Sequence, residues 1–458
     1  MRRDVRIYNV PLLCAALVLM AALVPAQAGQ TAPAPSTVRV AVLPFLGPDA
    51  PERYGLVLEQ AVRLGLLQVR AVRLASAGEI VSGLEQLGLT PAERISDDQL
   101  VALAKHLNVR GVVAGSFEGD GDTVVIRSML ADASGAGRVS AGPESRGPAS
   151  NYLTAARAIV TRTLADLSVR QTELDAQRIA ETFGGEPKPV DLYSLYAEGA
   201  WEQGLATRAG HDRAITALTK ATEADPNFAL ARIALGVSLY ATNQRWKASG
   251  EFRKAIQIDG GPAEAHKLLG DMLVNSPRRL YDQAIQAYTA ALQRAPDYAD
   301  ARVGLGDAYQ AKGQYDNAIE EYKKALAMEP ENARVHYGLG KIYYNEKGLY
   351  HEAVAEYQKA AALDPRLLEV QLSLGELYDE KGLYPDAVAR YEYVLGIDPK
   401  HPGAIYGLAQ AYEHIDPQKA MAQWERYIEL ASTLPTEKDW VEIARKHLEK
   451  LRRGEKPR

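Results

Sequence analysis

Side chains able to make or break covalent bonds are sparse in this sequence. One cysteine, Cys14, and eight histidines serve 458 residues. His106 falls on a stretch with helical spacing, and no serine, cysteine or carboxylate is placed to act with it as nucleophile or base. Gly115-Ser116 lacks the glycine spacing of a nucleophile elbow. Gly119-Asp120-Gly121-Asp122 superficially resembles a calcium loop, but further oxygen ligands and a distal glutamate are missing, so it reads as a hairpin turn. His351-Glu352 opens a zinc-protease pattern that no second histidine completes. His211, His266, His336, His401, His414 and His447 show no ligand spacing, and with His351 they read as surface or turn residues. A phosphate-cradling GxxxxGK[ST] loop is absent from the sequence. The expectation is a protein that is not an enzyme, with no catalytic residue, metal or cofactor.

What remains is the chemistry of binding. Tyr outnumbers Phe by 24 to 5, and all the Tyr except Tyr8, Tyr54 and Tyr152 lie after residue 190. The four Trp (Trp201, Trp246, Trp424, Trp440) lie there too. So uneven a use of aromatics marks two domains of different construction. Lys plus Arg number 53 against 58 Asp plus Glu, a net charge of −5. That near-balance supplies no overall electrostatic drive toward nucleic acid or an anionic membrane.

The amino terminus reads as an address. Arg2, Arg3 and Arg6 precede an apolar run, Pro11 to Val24, and Ala26-Gln27-Ala28 offers a small-x-small cleavage site. Residues 1–28 therefore read as a secretory signal peptide cleaved after Ala28. The run falls short of the roughly 20 residues that a spanning helix needs; an uncleaved anchor is the rival reading. Leu13 stands before Cys14 where a lipoprotein signal needs a small residue. A chain without 1–28 has no cysteine, hence no disulfide. Export without disulfides points to the periplasm or cell envelope, with no integral span after cleavage. Residues 29–36 read as a flexible lead.

Residues 37–180 read as an α/β domain. Val38, Val40 and Val42 alternate in a strand that stops at Pro44. Helices are expected over 52–67, 79–87, 97–107 and 150–167, and strands over 69–74, 110–117 and 123–130, with a further strand after the turn at Ser134 to Gly137. Ser96-Asp97-Asp98 is a helix-capping signal. This order implies one mixed sheet with helices packed on it. VRVAVLPF (38–45), LAKHLNVRGVVAGSF (103–117) and GDTVVIRSMLADASGAGRV (121–139) resemble the TolB-like amino-terminal domain family, relatives of which occur in envelope proteins.

The second half is periodic. YDNAIEEYKKALAMEPENA (315–333) recurs as YHEAVAEYQKAAALDPRLL (350–368) and YPDAVARYEYVLGIDPKHP (384–402). Pro226, Pro296, Pro330, Pro365 and Pro399 close units of about 34 residues, with Gly260 where one further Pro would fall. Gly236, Gly270, Gly306, Gly340 and Gly375 sit early in the units as holes for large neighbours. Gly313, Gly348 and Gly382 fit left-handed helix ends. This pattern is similar to the tetratricopeptide repeat (TPR) family. About seven units are expected over 192–433, after a linker at 181–191 and before a capping helix at 436–452. Unit three carries a two-residue insertion around Asn275 to Arg279. The fold class is thus an α/β amino-terminal domain, a mixed sheet with helices, followed by an all-α TPR solenoid.

The resemblance implies a concave groove, lined by the first helix of each unit, that holds peptide segments of partner proteins. Transferred position by position, it offers Asp271, Asp307, Arg334, Tyr337, Lys341, Tyr344, Asn345, Glu376 and Tyr406. The groove should be acidic, with one basic-aromatic patch at Tyr337, Lys341 and Tyr344, since aromatic and cationic anchors carry interface energy. The partners expected are other proteins of the envelope, not nucleic acid. A second reading is a regulatory subunit that senses a small ligand or glycan through the TolB-like domain and relays it to a partner enzyme.

Overall fold

The computed structural model describes residues 37–47, 52–91, 94–120, 123–258, 261–434 and 437–455. The expected signal peptide and lead, Gly121-Asp122 of the turn, Gly260, and Thr436 of the capping segment lie outside the described residues. Among the described residues no helix is long and apolar enough to cross a membrane.

Five strands form one mixed sheet: β1 (Val38–Val42), β2 (Val72–Leu74), β3 (Gly111–Asp120), β4 (Thr123–Asp132) and β5 (Arg138–Gly147). Their spatial order is β2-β1-β3-β4-β5. The central β1 pairs in parallel with β2 and β3, and β3, β4 and β5 continue as an antiparallel meander. Strand alternation sorts the core. Val40 and Val42 face α1 (Glu52–Leu66) and α4 (Tyr152–Asp166), while Ala41 and Leu43 face α2 (Ala77–Gln86) and α3 (Asp97–His106). Both α2 and α3 start from complete capping boxes, Ser76 with Glu79 and Ser96 with Gln99. The second strand is shorter than the sequence indicates, because Val69 to Ala71 turn back, with Val72 N–H bonded to the Val69 carbonyl.

Within the expected linker, 181–184 end one helix, 185–189 are not helical, and 190–191 begin the next. A third capping box, Thr172 with Asp175, opens α5 (Glu173–Gly184), and Ile179 and Phe183 bury their side chains in the sheet's core. Coil remains only between Gly184 and the start of α6 (Val190–Gly204). That core does not stop at the sheet. It runs without a break through Tyr193, Tyr196 and Ala197 of α6 to Leu218 of α7 (Arg208–Ala224), Leu235 of α8 (Ala229–Ala241) and Phe252 of α9 (Arg245–Gln257). The α/β domain and the first helix pairs therefore fold around shared apolar surface.

Helix pairs continue as α10 (Ala263–Val274) with α11 (Tyr281–Arg294), α12 (Ala299–Ala311) with α13 (Tyr315–Met328), and α14 (Ala333–Asn345) with α15 (Tyr350–Leu363). Then come α16 (Leu368–Glu380) with α17 (Tyr384–Ile397), α18 (Pro402–Ile415) with α19 (Pro417–Ala431), and a last helix, α20 (Lys438–Arg452). Gly313, Gly348 and Gly382 have φ of 80°, 63° and 72°, the left-handed conformation that ends a first helix. Asp225, Glu329, Asp364 and Asp398 are extended rather than helical just before their prolines, as the proline ring requires.

Candidate interaction groove

Packing inside the array is tyrosine against glycine. A Cβ on Gly306 would stand 2.6 Å from the Tyr322 ring, and one on Gly338 in the next pair 3.1 Å from it. Tyr288 lies likewise between Gly270 and Gly304, and Tyr391 between Gly375 and Gly407. Each ring thus fills holes in two successive first helices and fixes their spacing.

A second device repeats. Arg232 of α8 bonds both the Pro226 carbonyl (2.7 Å) and Glu251 (2.8 Å). Arg302 of α12 does the same with Pro296 and Glu321, at 2.8 and 3.0 Å. In α14 the position holds His336, bonded to Glu356 at 2.5 Å and to the Pro330 carbonyl at 3.1 Å. His336 and His266 are buried in helices, not surface or turn residues as the sequence reading has them. Only the alignment of His336 with Arg232 and Arg302 could have revealed this.

The expected groove residues fall into two groups. Some are spent on the array itself. Asp271 accepts from Tyr288 at 2.7 Å and Lys267 at 2.8 Å. Asp307 accepts from Tyr322 at 2.6 Å and from Arg334 of the next first helix at 2.5 Å. Burial pushes the Asp307 carboxyl up, and Arg334 and Tyr322 pull it back. The Tyr344 hydroxyl donates to Glu380 of α16, whose other oxygen accepts from Tyr350 at 2.7 Å. Tyr406 is half-buried, edge-on to Trp424, Tyr427 and Trp440 at 4.9–5.4 Å between centroids, and so seats α20.

The others are less engaged by the array. Lys341 Nζ lies 5.5 Å from the centroid of the Tyr337 ring; that ring packs tilted on Tyr357 at 5.8 Å, and its hydroxyl is hydrogen-bonded with Ser373 of α16. Asn345 is exposed at the end of α14. Glu376 of α16 is solvent-accessible yet crowded by the groove walls, which pushes its carboxyl up; among the described residues no counter-charge offsets this. On the same helix Asp379 has one buried carboxylate oxygen without a hydrogen-bond partner; burial raises its carboxyl, and His414 of α18 pulls it back. Of the expected set, Tyr337, Lys341, Asn345 and Glu376 lie on two adjacent first helices, α14 and α16.

Two features escape the sequence reading. Glu59 of α1 is buried against α6; its nearest charge is Arg63, 3.3 Å away, and neither carboxylate oxygen has a hydrogen bond. Burial lifts its carboxyl to about 7, against the opposing pull of Arg63. The Tyr193 hydroxyl of α6 is buried without a hydrogen-bond partner as well. The α/β domain also reaches along the array: Asp297, in the turn between α11 and α12, accepts from Arg178 of α5 and from Arg70. The capping pair Thr172 and Asp175 is the one sequence signal for α5.

Comparison with known proteins agrees with the repeat pattern. Family patterns described as TPR repeat and tetratricopeptide repeat match residues 279–320, 306–346 and 333–367. Among solved structures, one titled crystal structure of MamA is 30% identical, spanning 37% of this chain and 95% of that one, with a TM-score of 0.33. The pilF protein of Pseudomonas aeruginosa is 23% identical, spanning 46% of this chain and 94% of its own, at a TM-score of 0.40. A chain of the APC/C hetero-tetramer Cut9-Hcn1 is 18% identical, spanning 65% and 58%, at 0.47. No curated protein matches the chain.

Proposed function

We propose that this chain, which carries tetratricopeptide repeats, is a non-enzymatic scaffold of the bacterial cell envelope that holds a peptide segment of a partner protein on α14 and α16. Tetratricopeptide repeats bind other proteins, and that general role is the premise. The observation that carries the reading is the pairing of roles on adjacent first helices. Tyr337 and Lys341 offer an aromatic and a cation on α14, while Glu376 offers on α16 a carboxylate with no counter-charge among the described residues. A segment with at least one Lys or Arg beside an apolar residue satisfies both, because its cation meets the Glu376 carboxylate and its apolar side chain the Tyr337 ring.

The envelope location rests on the amino-terminal address alone. The TolB-like domain is the part we assign to docking on an envelope assembly, on the strength of the resemblance in residues 38–139. In-cell crosslinking followed by mass spectrometry tests the reading, with the native chain beside a Lys341→Ala, Glu376→Gln variant. A specific envelope protein captured by the native chain and lost from the variant supports it. Capture of the same partner by both places binding outside these helices and removes the groove assignment.

A further inference from the structure

One edge of the solenoid changes character along its length. Lys312, just after α12, pairs with Asp282 at the start of α11 at 2.6 Å, and Lys347, beyond α14, pairs with Asp316 at the start of α13 at 2.7 Å. The end of each first helix therefore lies beside the start of the second helix in the preceding repeat. By the repeat's geometry the segment joining α10 to α11 is expected beside the start of α9. There the bridge is missing. Trp246 stands at the second position of α9, where Asp282 and Asp316 stand in α11 and α13. It is 78% exposed, more than any other large apolar side chain among the described residues.

The joining segment beside it is the insertion that breaks the repeat, and it presents Arg278 and Arg279, both exposed. Arg279 has φ of 52° and takes the left-handed place that Gly313, Gly348 and Gly382 hold in later repeats, so a cation stands where those repeats have no side chain. Arg245 and Lys247 flank Trp246 and are exposed as well. Arg245 lies over the Tyr240 ring and Lys247 donates to Gln244, but among the described residues no ion pair engages any of the four cations. A balanced net charge thus conceals two exposed cations flanking one projecting indole and two more on the segment expected beside it.

We propose that this edge of the second and third repeats docks on an anionic lipid surface, with the Trp246 indole in the headgroup layer and Arg245, Lys247, Arg278 and Arg279 on lipid phosphates. An indole prefers the boundary where one end is apolar and the other wet. Cations held near an anionic leaflet add attraction one by one. A nucleic acid strand would meet the same charges, but one ring gives its bases no succession of stacking platforms. The surface is separate from the α14–α16 groove, and its occupancy does not depend on that reading.

The test uses the full chain and vesicles of phosphatidylcholine with phosphatidylglycerol, some carrying brominated acyl chains, beside pure phosphatidylcholine. Tryptophan emission of the native chain should shift to the blue and be quenched by the brominated anionic vesicles. Trp246→Phe should lose that change, with Trp201, Trp424 and Trp440 supplying the emission that remains. Changing the four cations to Ala should weaken the quenching response about tenfold or more, with melting unchanged since all four are exposed. Equal quenching in Trp246→Phe, equal response to neutral vesicles, or an undiminished response without the cations would each overturn the proposal. Quenching-free protection of Trp246 by a soluble polyanion such as heparin, with no response to vesicles, would overturn the lipid assignment in favour of a polyanion.

Discussion

Arg178 on α5 and Asp297, in the turn between α11 and α12, form an ion pair of 2.5 Å across 119 residues of sequence. Arg70 reaches the other oxygen of Asp297 at 3.4 Å, Arg73 pairs with Glu329 at 3.3 Å, and Lys188 pairs with Asp225 at 2.6 Å. Basic side chains of the α/β domain and its connection thus touch the turns that close the first, third and fourth helix pairs. Each pair is partly exposed and contributes about 1 kcal/mol or less. Their joint effect is geometric: they hold the domain against one edge of the array.

Asp297→Ala should loosen that edge without unfolding the chain. Hydrogen exchange is expected to quicken in α5 and in residues 295–298, with a stability loss of about 1 kcal/mol. The difference from the native chain should shrink at high salt, which screens such pairs. Unchanged exchange in α5 would show that the ion pair holds nothing in place.

Glu59 sets a pH dependence of definite sign. Its folded carboxyl sits at about 7, above its ordinary 4.5, because burial between α1 and α6 disfavours the charge. The folded state therefore holds this proton longer than the unfolded chain does. The stability it contributes is complete below pH 4.5 and is lost as pH rises to 7, a change on the order of 3 kcal/mol. Glu59→Gln should raise the melting temperature at pH 8 and have little effect at pH 5, with Arg63 still bonded to the Ala75 carbonyl at 3.0 Å. A shift of equal size at both pH values would count against the buried charge as the cause.

Two glycine substitutions should have opposite signs. A Cβ on Gly340 would stand 2.5 Å from the Tyr357 ring, whereas one on Gly250 of α9 meets nothing within 4 Å. Gly250→Ala should stabilise by about 0.5–1 kcal/mol, the ordinary helix preference. Gly340→Ala should destabilise by about 1–2 kcal/mol, since overpacking exceeds that gain. Chemical denaturation of both variants measures the contrast, and two changes of the same sign would mean that the rings do not set the helix spacing.

The architecture was legible where periodicity carried it. Alternating Val38, Val40 and Val42 gave a strand, and the recurrence of Gly306, Tyr322 and Pro330 gave the helix pairs, because those positions answer to local geometry. The groove was less legible. Tyr344 and Arg334 look like free anchors in one dimension, yet they close on Glu380 and Asp307 from neighbouring helices. Tyr406 looks like a groove residue and instead supports α20. Partnerships across 27 or 36 residues depend on how far each pair rotates against the next, which no local spacing records. Glu59 was invisible for the same reason: an acidic residue on an amphipathic helix reads as solvated until a second domain covers it.

Site-specific photo-crosslinking in the living cell tests the groove most directly. A photoreactive residue placed at Lys341 looks into the face formed by α14 and α16; one placed at Lys323, exposed on α13, looks outward. The account expects a discrete adduct with one partner protein from position 341 and none from position 323, with the adduct weakened by Glu376→Gln. Equal adducts from both positions, or an adduct from 323 alone, would contradict a groove-bound partner.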